Sequence, residues 1–194
     1  MLNSWRLLPD TPLVWAGSES AALLRLGCRS FRDAARYLHA LPYGRNSDRA
    51  DYRLVLPEGR GTCSTKHALL AALAVEHGLD VSLMVGIYSM CEANTPGVGA
   101  ILAAAGLSGI PEAHCYLRYR GDRIDVTRAD AASESAIDRF EPEWSIEPCQ
   151  IGQHKVDLHR RHLESWLTRH REVTFTLDRL WKIREDCIAA LGAR

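Results

Sequence analysis

The chain divides into short apolar periodicities separated by glycine and proline breaks. Residues 1–18 read as an extended lead-in broken by Pro9 and Pro12, with Trp5 and Trp15 expected to cover part of the core. A short helix is predicted from Glu19 to Leu26, stopping at Gly27. Ser30 and Asp33 have capping-box spacing, and Phe31, Ala34, Ala35, Leu38 and Leu41 then recur at helical intervals before Pro42. Residues 42–47 form a polar, turn-rich loop far enough ahead of Cys63 to fold back over it, so Tyr43, Arg45 and Asn46 are candidates to line a site. From Asp51 to Gly61 the chain is expected to be extended and then to turn. A helix over 63–77 comes next, with Ala68, Leu69, Ala71, Ala72, Leu73 and Val75 spread around it. That spread predicts burial on more than one side, and Gly78 supplies a C-terminal stop.

Val81 to Tyr88 is rich in strand formers with little polar alternation, which predicts a central strand. A short Ala/Leu helix is expected over 98–105, ending at Gly106. Residues 113–120 and 123–127 read as a β-hairpin around a Gly121-Asp122 turn. Residues 128–153 read as loop-rich, anchored by Phe140, Trp144 and Ile146. Two helices close the pattern. One runs from about Val156 to His170, burying Leu158, Leu163, Trp166 and Leu167, and the other from about Leu177 to Leu191. The order of elements predicts an α+β fold in a single domain over 1–194.

Composition narrows the function. At 194 residues, 46% hydrophobic and formally uncharged, the chain can bury a full core and carries no global basic field for a nucleic-acid backbone. The basic run Lys155, Arg160, Arg161, Arg169 and Arg171 is interrupted by Glu164 and reads as a solvated helix face. No P-loop or dinucleotide fingerprint is present, so no cofactor is expected. The start lacks the apolar core of a signal peptide, and no run is long enough to span a membrane. Six cysteines stand singly at 28, 63, 91, 115, 149 and 187, which points to reduced thiols and a cytoplasmic setting. Cys149, His154, His159 and His162 do not match the spacing of a structural zinc site, and no metal is expected.

The chemistry-bearing stretch is Gly59-Arg60-Gly61-Thr62-Cys63 with the helix behind it. A cysteine in the first turn of a helix lies among unpaired N–H groups that favour its thiolate. His114 and Asp125 come later on strand-like segments, in the order expected for a nucleophile, a base and a group that fixes the base's tautomer. A two-residue turn at Gly121-Asp122 would set Asp125 opposite Arg118, roughly 13 Å from His114 in a flat sheet. Twist, a bulge or a shifted turn is needed to close that gap. His67, one helical turn after Cys63, is read as packed or solvated rather than as the base, and Cys91 and Cys115 as small apolar side chains.

These residues resemble the transglutaminase-like superfamily, which shares the papain-like arrangement. Gly61-Thr62-Cys63-Ser64-Thr65-Lys66-His67-Ala68 is similar to its glycine-x-cysteine helix start. His114-Cys115-Tyr116-Leu117 is similar to its histidine strand and Asp125-Val126-Thr127 to its aspartate-x-threonine segment, so the likeness covers about 59–127. The resemblance implies a Cys63 nucleophile, a His114 base and an Asp125 orienter, with the cysteine helix packed on an antiparallel sheet. Its implied chemistry is hydrolysis or transfer at an amide or ester through a Cys63 thioester, on a peptide, protein or small-molecule substrate. The alternative is an inactive module of the same shape that binds a peptide or protein. After the histidine the family's pattern has alanine and then an aromatic residue, often tryptophan; here Cys115 and Tyr116 occupy those places, and no tryptophan precedes Cys63 nearby. The Cys63 N–H then remains as an oxyanion donor, with a second sought in the 43–46 loop.

Overall fold

The early helices form where the sequence supplies caps. In the computed structural model, which describes residues 3–129, 137 and 139–192, α1 (Ser18–Arg25) ends just before Gly27, whose φ of 88° is left-handed. In α2 (Phe31–Ala40) the Asp33 N–H donates to Ser30 Oγ at 3.1 Å, and the Phe31, Ala34, Ala35 and Leu38 stripe is buried. The stretch after Asp51 is not extended as expected. Asp51 Oδ1 accepts from the Arg53 N–H at 3.0 Å and starts a 3-10 turn, Tyr52–Leu54, that runs into α3 (Val55–Glu58). Pro57 does not oppose this, because a first-turn residue needs no N–H partner within the helix.

Helix α4 (Cys63–Glu76) is buried around most of its circumference. Its packing partners are α1, α2 and the inner face of a four-stranded antiparallel sheet. The strands are β1 (Ser82–Met90), β2 (Ile110–Tyr119), β3 (Asp122–Ile124) and β4 (Glu143–Ile146), in spatial order β3-β2-β1-β4. Strand β4 lies within the stretch read as loop-rich. It pairs with β1 from Leu83 opposite Ile146 to Gly86 opposite Glu143. Four residues are too few to show a period before they pair. The expected short helix is α5 (Gly99–Ala104), and the chain closes with α6 (Gln153–Arg169) and α7 (Leu177–Gly192).

Strand alternation separates two cores. Leu83, Val85, Ile87, Ala113, Cys115 and Leu117 pack with α1, α2 and α4. Tyr88, Met90 and Ile110 pack with α5, Leu163 of α6 and the Leu180, Ile183, Cys187, Ile188 and Leu191 stripe of α7. Trp5 packs against the first core as expected, but Trp15 does not. It is 67% exposed, with the Arg25 guanidinium over its ring. Among the described residues no helix is long and apolar enough to cross a membrane.

Candidate functional site

A chain of hydrogen bonds aims the start of α4. Gly44 donates to the Gly61 carbonyl at 3.1 Å and Gly61 donates to the Pro42 carbonyl at 3.2 Å, so the 42–47 loop folds back on the approach to Cys63. Thr65 Oγ1 accepts from the Thr62 N–H at 3.0 Å and donates to Asn46 Oδ1 at 2.8 Å. Asn46 in turn donates to the Arg60 carbonyl and to Glu58. Position 61 has no room for a side chain, because a Cβ there would meet Lys66, Thr65 and Val55 at 2.9–3.0 Å. Of the three loop candidates, Tyr43 and Arg45 line the cavity above Cys63, while Asn46 is buried as a fastener of the helix start.

His114 and Asp125 meet, and the turn explains how. Arg120 and Gly121 both take positive φ, 52° and 89°, the geometry of a two-residue hairpin turn whose backbone twist matches its strands. The turn is therefore Arg120-Gly121 and not Gly121-Asp122, and the register pairs Tyr119 with Asp122 and Leu117 with Ile124. This moves Asp125 two positions along β2 toward His114. Strand β3 ends at Ile124, and the chain leaves the ladder. His114 Nε2 then donates to Asp125 Oδ2 at 2.6 Å. The 125–127 segment is tied down on several sides. Asp125 N–H donates to Ser4 Oγ, Thr127 N–H to Asp125 Oδ1, and Lys66 Nζ to the Thr127 carbonyl.

His67 is part of this fastening. Its Nδ1–H donates to the Cys63 carbonyl at 2.7 Å, and its Nε2 accepts the Val126 N–H at 2.8 Å. Those two bonds require the neutral imidazole. Burial lowers its pKa to about 4 even though Asp125 lies close by. Of the two expectations for His67, packed or solvated, the structure shows the packed one, and the ring holds the helix start to the Asp125 segment.

The titratable groups around Cys63 set one another's charge. Burial pushes the thiol up, but the Lys155 ammonium, together with the charge and hydrogen bond of His114, brings it down to about 6. Burial disfavours the imidazolium at His114, yet Asp125 and Cys63 raise its pKa well above the ordinary value. For the Asp125 carboxyl burial is likewise opposed, and the charge and hydrogen bond of His114 hold it far below the carboxylate range. With His114 Nε2 committed to Asp125, Nδ1 is the ring nitrogen left for sulfur. Phe140 stacks on His114 with ring centroids 6.2 Å apart and on Tyr116 at 5.0 Å. Gly86, opposite His114 in the ladder, makes room for that ring.

Two further elements complete the cavity. Lys155 of α6 is not on a solvated face. It is 8% exposed and donates to Ser64 Oγ at 2.7 Å. The remaining basic residues of that run gave no reason to single it out. The sign that marks it is position, since 155 lies on the same helical stripe as His159 and Leu163, all buried. Behind it, Arg184 of α7 holds Glu112 through Nε at 2.7 Å and through a second short contact from its other arm. Burial raises the Glu112 carboxyl, and Arg184 overrides it and lowers the pKa to about 2. His159 Nε2–H donates to the Pro111 carbonyl at 2.9 Å, and burial lowers the pKa of the ring to about 4. His159 therefore packs against the sheet, and among the described residues no group of three or more His, Cys, Asp or Glu side chains is arranged to hold a metal ion.

These groups line a cavity of about 380 Å³, the size of a small-molecule or side-chain site. Cys63, His114, Asp125, Lys155, Glu112 and Tyr88 all contribute to its wall. The Cys63-initiated helix packed on an antiparallel sheet, with helices after it, has the general shape of a papain- or transglutaminase-like arrangement. Comparison of the chain with family models, curated proteins and solved structures finds no match.

Proposed function

We propose that the protein carries out acyl chemistry at Cys63 and belongs with the transglutaminase-like superfamily. Cys63 is the nucleophile, His114 the general acid and base, and Asp125 the group that orients and charges His114. The observation that carries this reading is the 2.6 Å bond between His114 and Asp125 beside a helix-start cysteine in one cavity. A thiol lowered to about 6 supports it further, because the thiolate is the reactive form and is populated at neutral pH. The thiolate attacks the carbonyl carbon of an amide or ester. His114 gives its proton to the leaving amine or alcohol, and a thioester remains on Cys63. His114 then takes a proton from water, for hydrolysis, or from an amine, for transfer. All six cysteines are free, which suits a reducing cytoplasm as the place for this thiolate. A cavity of about 380 Å³ suits a side chain or a small acyl group.

The test is a pH profile of Cys63 alkylation, monitored at that residue by peptide mass spectrometry, in the parent protein and in H114A. The expected result is a midpoint near 6 in the parent that rises in H114A. An ordinary midpoint, unchanged by H114A with Cys63 accessible, would refute the thiolate–imidazolium pair.

A further inference from the structure

A buried ammonium needs a negative partner, since an isolated charge in such a site is strongly disfavoured. Lys155 is 8% exposed, and its one hydrogen bond among the described residues goes to the neutral Ser64 Oγ at 2.7 Å. The acid on this wall, Glu112, is already held through both oxygens by Arg184. Ser64 Oγ lies 3.9 Å from Cys63 Sγ. Because Lys155 donates to that oxygen, the hydroxyl proton is available to the sulfurs beside it, Cys63 and Cys115. Lysine has three N–H donors, so two remain, and the side chain lines the cavity in which Cys63 sits.

From this geometry, and resting on the acyl-transfer reading above, we infer that Lys155 is the cation that stabilises the oxyanion formed when Cys63 attacks a carbonyl. Its negative partner is supplied by the site itself. In the resting protein the Cys63 thiolate is its counter-charge, reached through Ser64. When the carbon–sulfur bond forms, the carbonyl π pair moves to oxygen, so the one negative charge leaves sulfur and appears on oxygen. Lys155 tracks it with a donor not engaged by Ser64, and the Cys63 N–H supplies the other. When the intermediate collapses, the pair returns to the carbonyl, the bond to the leaving group breaks, and that group takes the His114 proton. The charged or titratable groups around Lys155 are Cys63 on α4, Cys115, Glu112 and His114 on β2, His159 on its own helix, and Arg184 on α7.

Two probes separate this role from a merely structural one. Iodoacetamide alkylates the thiolate without forming an oxyanion, whereas p-nitrophenyl acetate acylates it through one. Both rates are measured on the full chain across pH and divided by the thiolate fraction. In K155M the normalised acylation rate is expected to fall roughly 10²- to 10³-fold, the usual loss for one oxyanion donor, while the normalised alkylation rate holds. K155R should restore most of it. S64A, which deletes one oxygen and leaves Lys155 less well aimed, should lose acylation in the same direction by less, and answers the question if K155M does not fold. Equal normalised acylation in the parent and K155M, or in the parent and S64A should only S64A fold, would overturn the role of Lys155 and leave the acyl reading standing. A parent protein whose Cys63 neither ionises early nor acylates would overturn both.

Discussion

Two imidazoles approach Asp125 from different sides and end in opposite states. His114 of β2 meets one carboxylate oxygen at 2.6 Å and is held charged. His67 of α4 stands 3.6 Å from the other oxygen and is neutral, with a pKa of about 4. The ring centroids are only 6.3 Å apart, and both side chains are nearly buried. Proximity to a carboxylate therefore does not decide the charge. The decision lies with what else each ring bonds. The Val126 N–H points at His67 Nε2 and demands a lone pair there. His114 faces Asp125 on one side and Cys63 on the other, and against its burial both raise its pKa. His159 repeats the neutral case on the far wall. Burial lowers its pKa to about 4, and Glu112 close by does not offset this while Arg184 holds that carboxylate.

Removing the shared carboxylate breaks this comparison most severely. In D125A, His114 loses the partner that charges and orients it, while both His67 hydrogen bonds go to backbone atoms and remain. Acylation of Cys63 by p-nitrophenyl acetate should drop by roughly 10²- to 10⁴-fold, the span that positioned acid–base groups contribute. The His114 titration, measured by NMR, should fall toward the ordinary value, and His67 should stay neutral. A change at His67 with none at His114 would reverse the two roles.

Arg184→Met sharpens the comparison on the other wall. It leaves the Glu112 carboxylate buried without its cation, which should cost about 3–5 kcal/mol in urea unfolding. Glu112 is then free to hold a proton on His159, whose pKa should rise from about 4. The pair also sets an acid limit. The folded Glu112 pKa of about 2 lies below its ordinary 4.5, so its contribution is complete above 4.5 and is lost as pH falls from there toward 2. In R184M that window should vanish. An unmoved His159 would show that burial alone, rather than the loss of its carboxylate to arginine, keeps it neutral.

The same division governs how much was legible in the residues. Helix α4, Cys63 at its start and the order of Cys63, His114 and Asp125 are local signals, written in glycines, caps and flanking residues. The meeting of His114 with Asp125 was not, because it depends on which two residues form the turn. A positive φ at Arg120, a residue with a side chain, is not readable from sequence. Lys155 was hidden for a different reason. Its burial is decided by the packing of α6 against β2, and in sequence it looks like the solvated arginines beside it. Strand β4 was short, and the helical turn after Asp51 depended on one side-chain cap.

His67→Phe tests the neutral ring directly. Phenylalanine fills much of the same space but accepts nothing, so the Val126 N–H is left buried and unpaired, a loss of about 1–3 kcal/mol in thermal or urea unfolding. The pH dependence should change with it. Because the His67 pKa is about 4 when folded and the ordinary 6.5 when unfolded, its stabilisation is complete above 6.5 and is lost as pH falls toward 4. H67F should therefore be nearly as stable as the parent near pH 4 and less stable above 6.5, with the Cys63 alkylation midpoint displaced far less than in H114A. A midpoint displaced as far as in H114A would make His67 a second base.

The mildest perturbation reaches His114 through the ring stacked on it. A Cβ at position 86 would lie 2.5 Å from Phe140, so Gly86→Ala must push that ring off His114 and Tyr116. Overpacking of this kind costs about 1–3 kcal/mol. If the loss comes from that one contact, F140A should absorb it, and G86A/F140A should be no less stable than F140A alone. Additive losses would instead place the strain in the β1 backbone. Since the His114–Asp125 bond is made at the edge of the imidazole and not on the face that Phe140 stacks on, the pH profile of Cys63 alkylation should keep its midpoint in G86A. That outcome would assign the stacked ring to where His114 stands, and Asp125 and Cys63 to whether it is charged.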